Sequence, residues 1–208
     1  MNTQNTASLR TRVLSPLAAL AFALAGATQV ATATTYSNVI ASTNAIAGAA
    51  LMGDSDFISA PGSVSSYVQA APGTSAQANG ALFMTPTRVQ YDQRNIVSST
   101  SGDDAASSEA LTFEFTIDAD QIATLSSKYT LRLFWGQVPD AVSSMRLVNA
   151  ATGEVLVNDM FNTLAVRRYD IRLAPGTYAV EYNFDSATAG TGGFQFDTGF
   201  AMRLANPI

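Results

Sequence analysis

Hydrophobic and polar side chains alternate along most of residues 111–208. From Leu111 to Ile117 every second residue is hydrophobic, and threonine or glutamate fills the positions between. The same period recurs in four further segments, Tyr129 to Trp135, Tyr169 to Leu173, Tyr178 to Phe184 and Phe194 to Leu204. A period of two is typical of β-strands with one buried face, and glycine-containing turn signals separate several of these segments. The pattern predicts an all-β fold, an antiparallel β-sandwich of jelly-roll type with about eight or nine strands.

Residues 34–110 have a weaker pattern and are rich in alanine, serine, threonine and glycine. Within them Arg88 to Val97 alternates clearly. We therefore predict an irregular N-terminal segment that contributes a few strands to the same domain. Residues 34–60 are also a candidate strand for pairing with the sheet edge of a neighbouring molecule.

The first 33 residues have the three parts of a secretory signal peptide. Arg10 and Arg12 give a positive start, Val13 to Ala25 form an apolar stretch, and Ala31-Thr32-Ala33 fits the cleavage pattern of small residues. A second fitting site, Ala25-Gly26-Ala27, lies slightly upstream. The apolar stretch is shorter than the roughly 20 residues that span a bilayer.

The predicted organisation has three regions, a signal peptide at 1–33, the Ala/Ser/Thr-rich segment at 34–110 and the sandwich core at 111–208. We expect the mature protein to be exported to the periplasm or the extracellular space.

The composition narrows the possible functions. Apart from Arg10 and Arg12, the sequence contains 9 basic and 16 acidic residues, a net charge of −7 that disfavours nucleic acids and anionic membrane surfaces. It contains no cysteine, which excludes a cysteine-linked lipid anchor, and no histidine, which excludes histidine-based triads and metal sites. We expect a protein that is not an enzyme, needs no cofactor and does not insert into membranes. Its expected partner is another copy of itself, or a surface glycan or protein.

Two hairpin-like segments carry a resemblance to a known family. Residues 169–182, YDIRLAPGTYAVEY, resemble the penultimate hairpin of bacterial pre-peptidase C-terminal domains, which often contains L-x-x-G-T-Y. Residues 145–155, MRLVNAATGEV, look like the central hairpin of that family. The resemblance extends over roughly residues 110–204 and implies a small secreted β-sandwich with an accessory binding role. The acidic run that precedes the central hairpin in that family is reduced here to Asp140, and no functional residue is carried over.

Two neighbouring aromatic residues, Phe134 and Trp135, are the candidate ligand-binding residues. Trp135 has the parity of Leu131 and Leu133, which predicts that Trp135 faces the core and that Phe134 faces outward. An outward aromatic residue on a sheet suits a sugar ring, a peptide or a neighbouring subunit.

Pairs of carboxylates are the candidate metal ligands. We single out Asp118 and Asp120, because calcium binds oxygen ligands that such a spacing on a loop supplies. The alternative is that these residues, and likewise the pairs Asp54/Asp56 and Asp103/Asp104, cap helices and turns.

Other charged residues suggest two further interpretations. Asp185 and Asp197 flank a glycine-rich loop and are a candidate pair for carboxylate-based hydrolysis of a glycan. Arg168 and Arg172 share one face of a strand, and we expect them to pair with acidic residues.

The sequence thus favours a noncatalytic exported bacterial surface or extracellular protein that acts by binding or by self-association. The main alternative is a carbohydrate-binding β-sandwich module, with calcium as an optional stabilising ion. Two remote alternatives are a small outer-membrane β-barrel and a carboxylate-based hydrolase.

Overall fold

The protein is described from a computed structural model, which covers residues 34–48, 52–71, 73–136, 138–161, 166–188 and 190–207. The predicted signal peptide lies outside these residues. The described residues form twelve β-strands, more than the eight or nine expected. The strands are β1 (Thr34–Ala47), β2 (Met52–Ile58), β3 (Gly62–Ala71), β4 (Thr74–Thr85), β5 (Arg88–Ser99), β6 (Ala105–Ile117), β7 (Gln121–Gly136), β8 (Asp140–Asn149), β9 (Val155–Phe161), β10 (Arg167–Leu173), β11 (Gly176–Thr188) and β12 (Gly192–Ala205).

The strands form two separate six-stranded sheets. Sheet A has the order β2-β1-β6-β11-β8-β9, and sheet B has the order β10-β7-β12-β5-β4-β3. Every pairing between neighbouring strands is antiparallel. The predicted antiparallel β-sandwich is therefore confirmed. In the part of the chain that is described, no helix is long and apolar enough to cross a membrane.

The core lies between the two sheets and is built largely from aromatic rings. Residues that alternate along β6, β11 and β12 are buried, as their period of two predicts. The largest fully buried side chains include Tyr91, Phe113, Phe115, Tyr182, Phe184, Phe194, Phe196 and Phe200. Burying one large apolar side chain contributes about 1.5–3 kcal/mol, so this layer dominates the stability of the fold.

The N-terminal part of the described chain is regular, and the prediction of an irregular segment is wrong. β1 pairs with β6 and, over residues 41–47, with β2, so it belongs to the chain's own sheet. Donation of residues 34–60 to a neighbouring molecule stays a prediction. The buried positions of β1 are Ala41, Thr43, Ala45 and Ala47. Because the outward side carries the large apolar Ile40 and Ile46 while the buried side carries only small residues, the period of two is almost invisible in this segment.

Two carboxylates close the side of the sandwich where edge strands β2 and β3 meet. Asp54 and Asp56 lie opposite the buried residues Ala45 and Thr43 of β1, so their side chains point toward sheet B. The backbone N–H of Tyr67 donates to Asp54 Oδ2 at 2.9 Å, and that of Ser65 donates to Asp56 Oδ2 at 3.1 Å. These carboxylates therefore accept hydrogen bonds from backbone N–H groups at the edge of β3. Unpaired groups at a strand edge otherwise favour pairing with another chain.

The double substitution of Asp54 and Asp56 by alanine is expected to lower the free energy of unfolding by about 1–3 kcal/mol, because two hydrogen bonds to charged acceptors are lost. Urea denaturation followed by circular dichroism measures the change. The matched control is the double substitution by asparagine, whose amide oxygens still accept these bonds and which should retain most of the stability. An alanine variant as stable as the wild type would show that these bonds contribute nothing to the edge.

Candidate functional site

The outer face of sheet B carries a groove that crosses five of its strands. The register aligns Ser65, Asn79, Arg94, Asp197 and Thr130 in one row, and Ser63, Ala81, Asp92, Gly199 and Lys128 in the next. The groove encloses about 800 Å³. From β3 to β7 it spans four strand spacings, about 19 Å.

The groove combines a floor of small residues with polar side chains. On β3 and β4 the groove is lined by small side chains, those of Ser63, Ser65 and Ala81. Longer side chains line it on β5, β12 and β7. Arg94 Nε donates to Asp197 Oδ1 at 2.8 Å, and both side chains are about half exposed. An ion pair with this exposure contributes little to stability.

Trp135 lies on the outer face of sheet B, and the prediction that it faces the core is wrong. Its side chain is 44% exposed, and that of Phe134 is 43% exposed. The pairing of β7 with β12 shifts at this point, since Leu133 pairs with Phe194 and Trp135 with Gly193. Phe134 is therefore the extra residue of a β-bulge, and one inserted residue moves the following side chain to the opposite face.

Gly193 creates the space in which the indole ring lies. Gly193 has the parity of the outward residues Gln195 and Asp197, and a Cβ atom there would lie 2.6 Å from ring atoms of Trp135. Residues with a side chain at this position would displace the ring. The indole of Trp135 thus packs on the backbone of β12.

Trp135 belongs to a small cluster at the end of β7. The rings of Phe134 and Trp135 have centroids 6.3 Å apart with an interplanar angle of 32°. The guanidinium of Arg132 lies 5.4 Å from the centroid of Phe134, a cation–π contact. We call Arg132, Phe134 and Trp135 the aromatic cluster. Both residues proposed from the sequence as ligand-binding residues belong to it.

Two further exposed aromatic residues lie at the β3–β4 end of the groove, one beyond each of its two rows. Tyr67 on β3 is 53% exposed and lies two residues from Ser65, and Phe83 on β4 is 60% exposed and lies two residues from Ala81. Neither residue was among the candidate site residues predicted from the sequence. Their parity, opposite to that of the buried Val68 and Leu82, was the signal that could have indicated them.

The candidate metal ligands Asp118 and Asp120 lie in the connection between β6 and β7, and both are exposed. Arg172 Nη2 donates to Asp120 Oδ2 at 3.1 Å, which gives this carboxylate a cationic partner from the protein itself. Within the described ranges no three acidic side chains lie close enough together to hold a metal ion. Calcium binding by Asp118 and Asp120 stays a prediction.

The proposed catalytic pair Asp185 and Asp197 is not brought together. Asp185 lies on an outward position of β11 in sheet A, and Asp197 lies on the outer face of sheet B. Because two packed sheets are about 10 Å apart and both side chains point away from the interface, the pair cannot act on one sugar. This hypothesis is wrong for that pair.

The arginines of β10 pair with acidic residues, as expected. Arg168 Nη2 lies 3.1 Å from Asp170 Oδ1, and Arg172 pairs with Asp120 as described above. Arg168 and Thr124 both donate hydrogen bonds to Asp170 and lower the pKa of its carboxyl, with the Arg168 bond as the larger cause.

The fold and this face define the chain as an all-β sandwich with an exposed, groove-bearing sheet. No protein-family model matches the sequence, and no curated protein matches it. Two solved structures show a low similarity. One is the enzymatically active domain of tailspike protein 4 from bacteriophage CBA120, with 10% identity, a TM-score of 0.22, and coverage of 78% of this chain and 19% of that chain. The other is a structure of infectious bursal disease virus, Gx strain, with 12% identity, a TM-score of 0.22, and coverage of 85% of this chain and 59% of that chain.

The chain therefore spans about a fifth of the tailspike domain and 59% of the viral chain. Scores this low carry no argument about function, so the groove has to be interpreted from its own residues.

Proposed function

We propose that this chain is a noncatalytic carbohydrate-binding protein that acts outside the cytoplasm and binds its ligand on the outer face of sheet B. The observation that carries the proposal is the exposed aromatic cluster beside a polar groove on one sheet face. The faces of sugar rings are apolar and stack on aromatic side chains, and their hydroxyl groups hydrogen-bond to amides, carboxylates and guanidinium groups. Both kinds of group are present here. The signal-peptide pattern of residues 1–33 supports a location outside the cytoplasm.

The polar groups of the groove are suited to sugar hydroxyls. Asn79 and Thr130 line the groove, and Gln195 Nε2 donates to Asp197 Oδ2 at 2.8 Å, so that Asp197 is held in place from two sides. A few fixed polar groups on a largely preformed surface are typical of small-molecule and glycan sites.

A carboxylate-based hydrolase is the second candidate function, because two carboxylates share this groove. Asp92 and Asp197 lie on the neighbouring strands β5 and β12, and the register makes them diagonal neighbours. Diagonal side chains of a sheet are roughly 7–8 Å apart, which lies within the separation of inverting glycosidases. We favour binding because Arg94 and Gln195 both donate to Asp197, which occupies this carboxylate as an acceptor.

Replacing Trp135 by alanine is expected to weaken glycan binding by about fivefold or more, since an aromatic contact of this kind typically contributes over 1 kcal/mol. Isothermal titration calorimetry with polysaccharides selected on a glycan array measures the affinity. The control is Phe57→Ala, which removes a more exposed aromatic ring from β2, at the edge of sheet A. It should bind like the wild type.

Two results would contradict the proposal. One is a wild-type protein that binds no glycan, and the other is a Trp135→Ala variant that binds as tightly as the wild type. Release of reducing sugar ends from a bound glycan, abolished by Asp92→Asn, would select the hydrolase instead.

A further inference from the structure

Basic side chains are distributed very unevenly over the sandwich. Seven of the nine basic residues in 34–208 take outward positions on sheet B, namely Arg88, Arg94, Lys128, Arg132, Arg168, Arg172 and Arg203. Three of the sixteen acidic residues share that face, Asp92, Asp170 and Asp197. The strand positions of this face thus sum to a charge of +4, or +3 when Asp120, which pairs with Arg172, is included, on a protein whose residues 34–208 have a net charge of −7. A field of one sign on a single face attracts ligands of the opposite sign.

Four of these seven cations form no ion pair with a carboxylate in the described part of the chain. Arg94, Arg168 and Arg172 form ion pairs with carboxylates. In the described part of the chain the other four form none, and all four are solvent-exposed: Arg88, Lys128, Arg132 and Arg203. Lys128 has a carboxylate nearby, since its Cε and Asp92 Oδ1 both approach the position above Gly199. The charges of Arg88, Arg132 and Arg203 are the ones most available to an anion.

Two of the unpaired cations oppose each other directly. Arg88 on β5 and Arg203 on β12 are partners in the register of the two strands. Like charges at directly opposite positions of a sheet repel and destabilise the pairing. Arg88 donates to the uncharged Gln90, which does not remove this repulsion. An anionic group bound between the two guanidinium groups would remove it, so this pair points to an anionic ligand.

The unpaired cations are evenly spaced along two neighbouring strands. Arg132 lies four residues from Lys128 on β7, and Gly199 of β12 pairs with Lys128. Arg203 lies four residues further along β12. At about 3.4 Å per residue, each interval is roughly 13 Å, and the line begins at the aromatic cluster. A linear polyanion lying along β7 and β12 would meet a cation at each interval.

We infer that the ligand of this face is an acidic polysaccharide, with carboxylate or sulfate groups that contact Arg132, Lys128 and the Arg88–Arg203 pair. The inference rests on the proposed carbohydrate binding. The charge pattern supplies the acidic character, and the aromatic cluster with the hydroxyl and amide groups of the groove favours a sugar chain over a nucleic acid. From the net charge, the sequence predicts that the molecule repels anions. That net charge describes the whole molecule, whereas this face is positive.

The test compares a polyuronate with the same polymer after chemical reduction of its carboxyl groups, using the whole protein in affinity electrophoresis at low salt. We expect the polyuronate to bind about tenfold or more tightly, and its affinity to fall as salt increases, because charge-assisted contacts are lost or screened. Equal affinity for both polymers would overturn the acidic ligand and leave carbohydrate binding intact. Binding of neither polymer, nor of any array glycan, would overturn the proposed function itself. Tighter binding of single-stranded homopolymeric DNA than of polyuronate would replace the glycan by a nucleic acid.

Variants locate the contact. The double substitution Lys128→Gln and Arg203→Gln is expected to lower polyuronate affinity about tenfold or more, since two charge-assisted contacts are removed, and to leave binding of the reduced polymer unchanged. Its melting temperature should equal or exceed that of the wild type, because the repulsion with Arg88 is gone. The control is Arg146→Gln on sheet A, where Arg146 pairs with Glu181 at 3.2 Å, and it should bind polyuronate like the wild type. Equal losses in both variants would show that net charge alone, and not this face, determines binding.

Discussion

Glu109→Gln is expected to be more stable than the wild type at pH 8 and no more stable at pH 5. Glu109 lies on an inward position of β6 and is only 2% exposed. Burial raises the pKa of its carboxyl well above the ordinary value of 4.5, and the nearby Asn95 side chain and Asn79 backbone offset this only in part. Among the described residues neither carboxyl oxygen has a hydrogen bond of good geometry.

The direction of the pH effect follows from this shift. Because the folded pKa lies above the unfolded one, the protonated carboxyl stabilises the fold, and this contribution is fully present below about pH 4.5. As the pH rises toward the folded pKa, the contribution is lost at up to ~1.4 kcal/mol per pH unit. Glutamine is uncharged at every pH and so escapes the loss.

Urea denaturation of wild type and variant at pH 5 and pH 8 gives the free energy of unfolding of each protein. The change with pH in the wild type is then compared with the change in the variant, so that the titration of other groups cancels. The matched control is Glu114→Gln, five residues along the same strand but on its outward side. It should leave the pH dependence as it is in the wild type. A Glu109→Gln variant less stable than the wild type at pH 8 would show that the ionised carboxylate stabilises the interior.

The buried polar groups around Glu109 form a layer of the core that the hydrophobic pattern does not indicate. Thr43 lies directly opposite Glu109 on β1, and Asn95 approaches from sheet B. Polar residues at these positions interrupt the hydrophobic alternation, and a sequence pattern interprets them as exposed. Their burial depends on how the two sheets pack, which no local pattern specifies.

The strands with large buried side chains were predictable, and those with small ones were not. Leu111 to Ile117 alternates residues of very different hydropathy, and its burial follows the pattern. β1 alternates in the same way, but its buried side carries Ala41, Ala45 and Ala47 while the more hydrophobic Ile40 and Ile46 lie on the outward side. The prediction was therefore limited by how strongly the two faces of a strand differ in hydropathy, and not by how regular the strand is.

The candidate site was predictable only in part, because two of its features are nonlocal. Parity along β7 predicts an inward Trp135, and the bulge that reverses it depends on the pairing with β12. The outward parity of single cations such as Lys128 and Arg203 is visible in the sequence. That these cations lie on one face follows only from the strand order of sheet B, in which strands that are distant along the chain are neighbours.

Gly193→Ala is expected to destabilise the protein by about 1–3 kcal/mol and to weaken glycan binding as strongly as Trp135→Ala, because the new methyl group occupies the space of the indole. A Cβ atom at this position lies 2.6 Å from two ring carbons of Trp135, Cη2 and Cζ2. Alanine otherwise suits a strand better than glycine does, so a loss of stability can be attributed to the displaced ring.

A double-mutant cycle separates this contact from other effects. In the Trp135→Ala background the methyl group meets no ring, so Gly193→Ala should be nearly neutral and the coupling energy between the two sites should exceed ~1 kcal/mol. The control is Gly53→Ala on β2, where an added Cβ makes only ordinary contacts of 3.6 Å and 3.8 Å and should change neither stability nor binding. If Gly193→Ala costs the same with and without the indole, Trp135 does not lie on Gly193, and the outer-face location of the ring, on which the proposed carbohydrate site depends, is wrong.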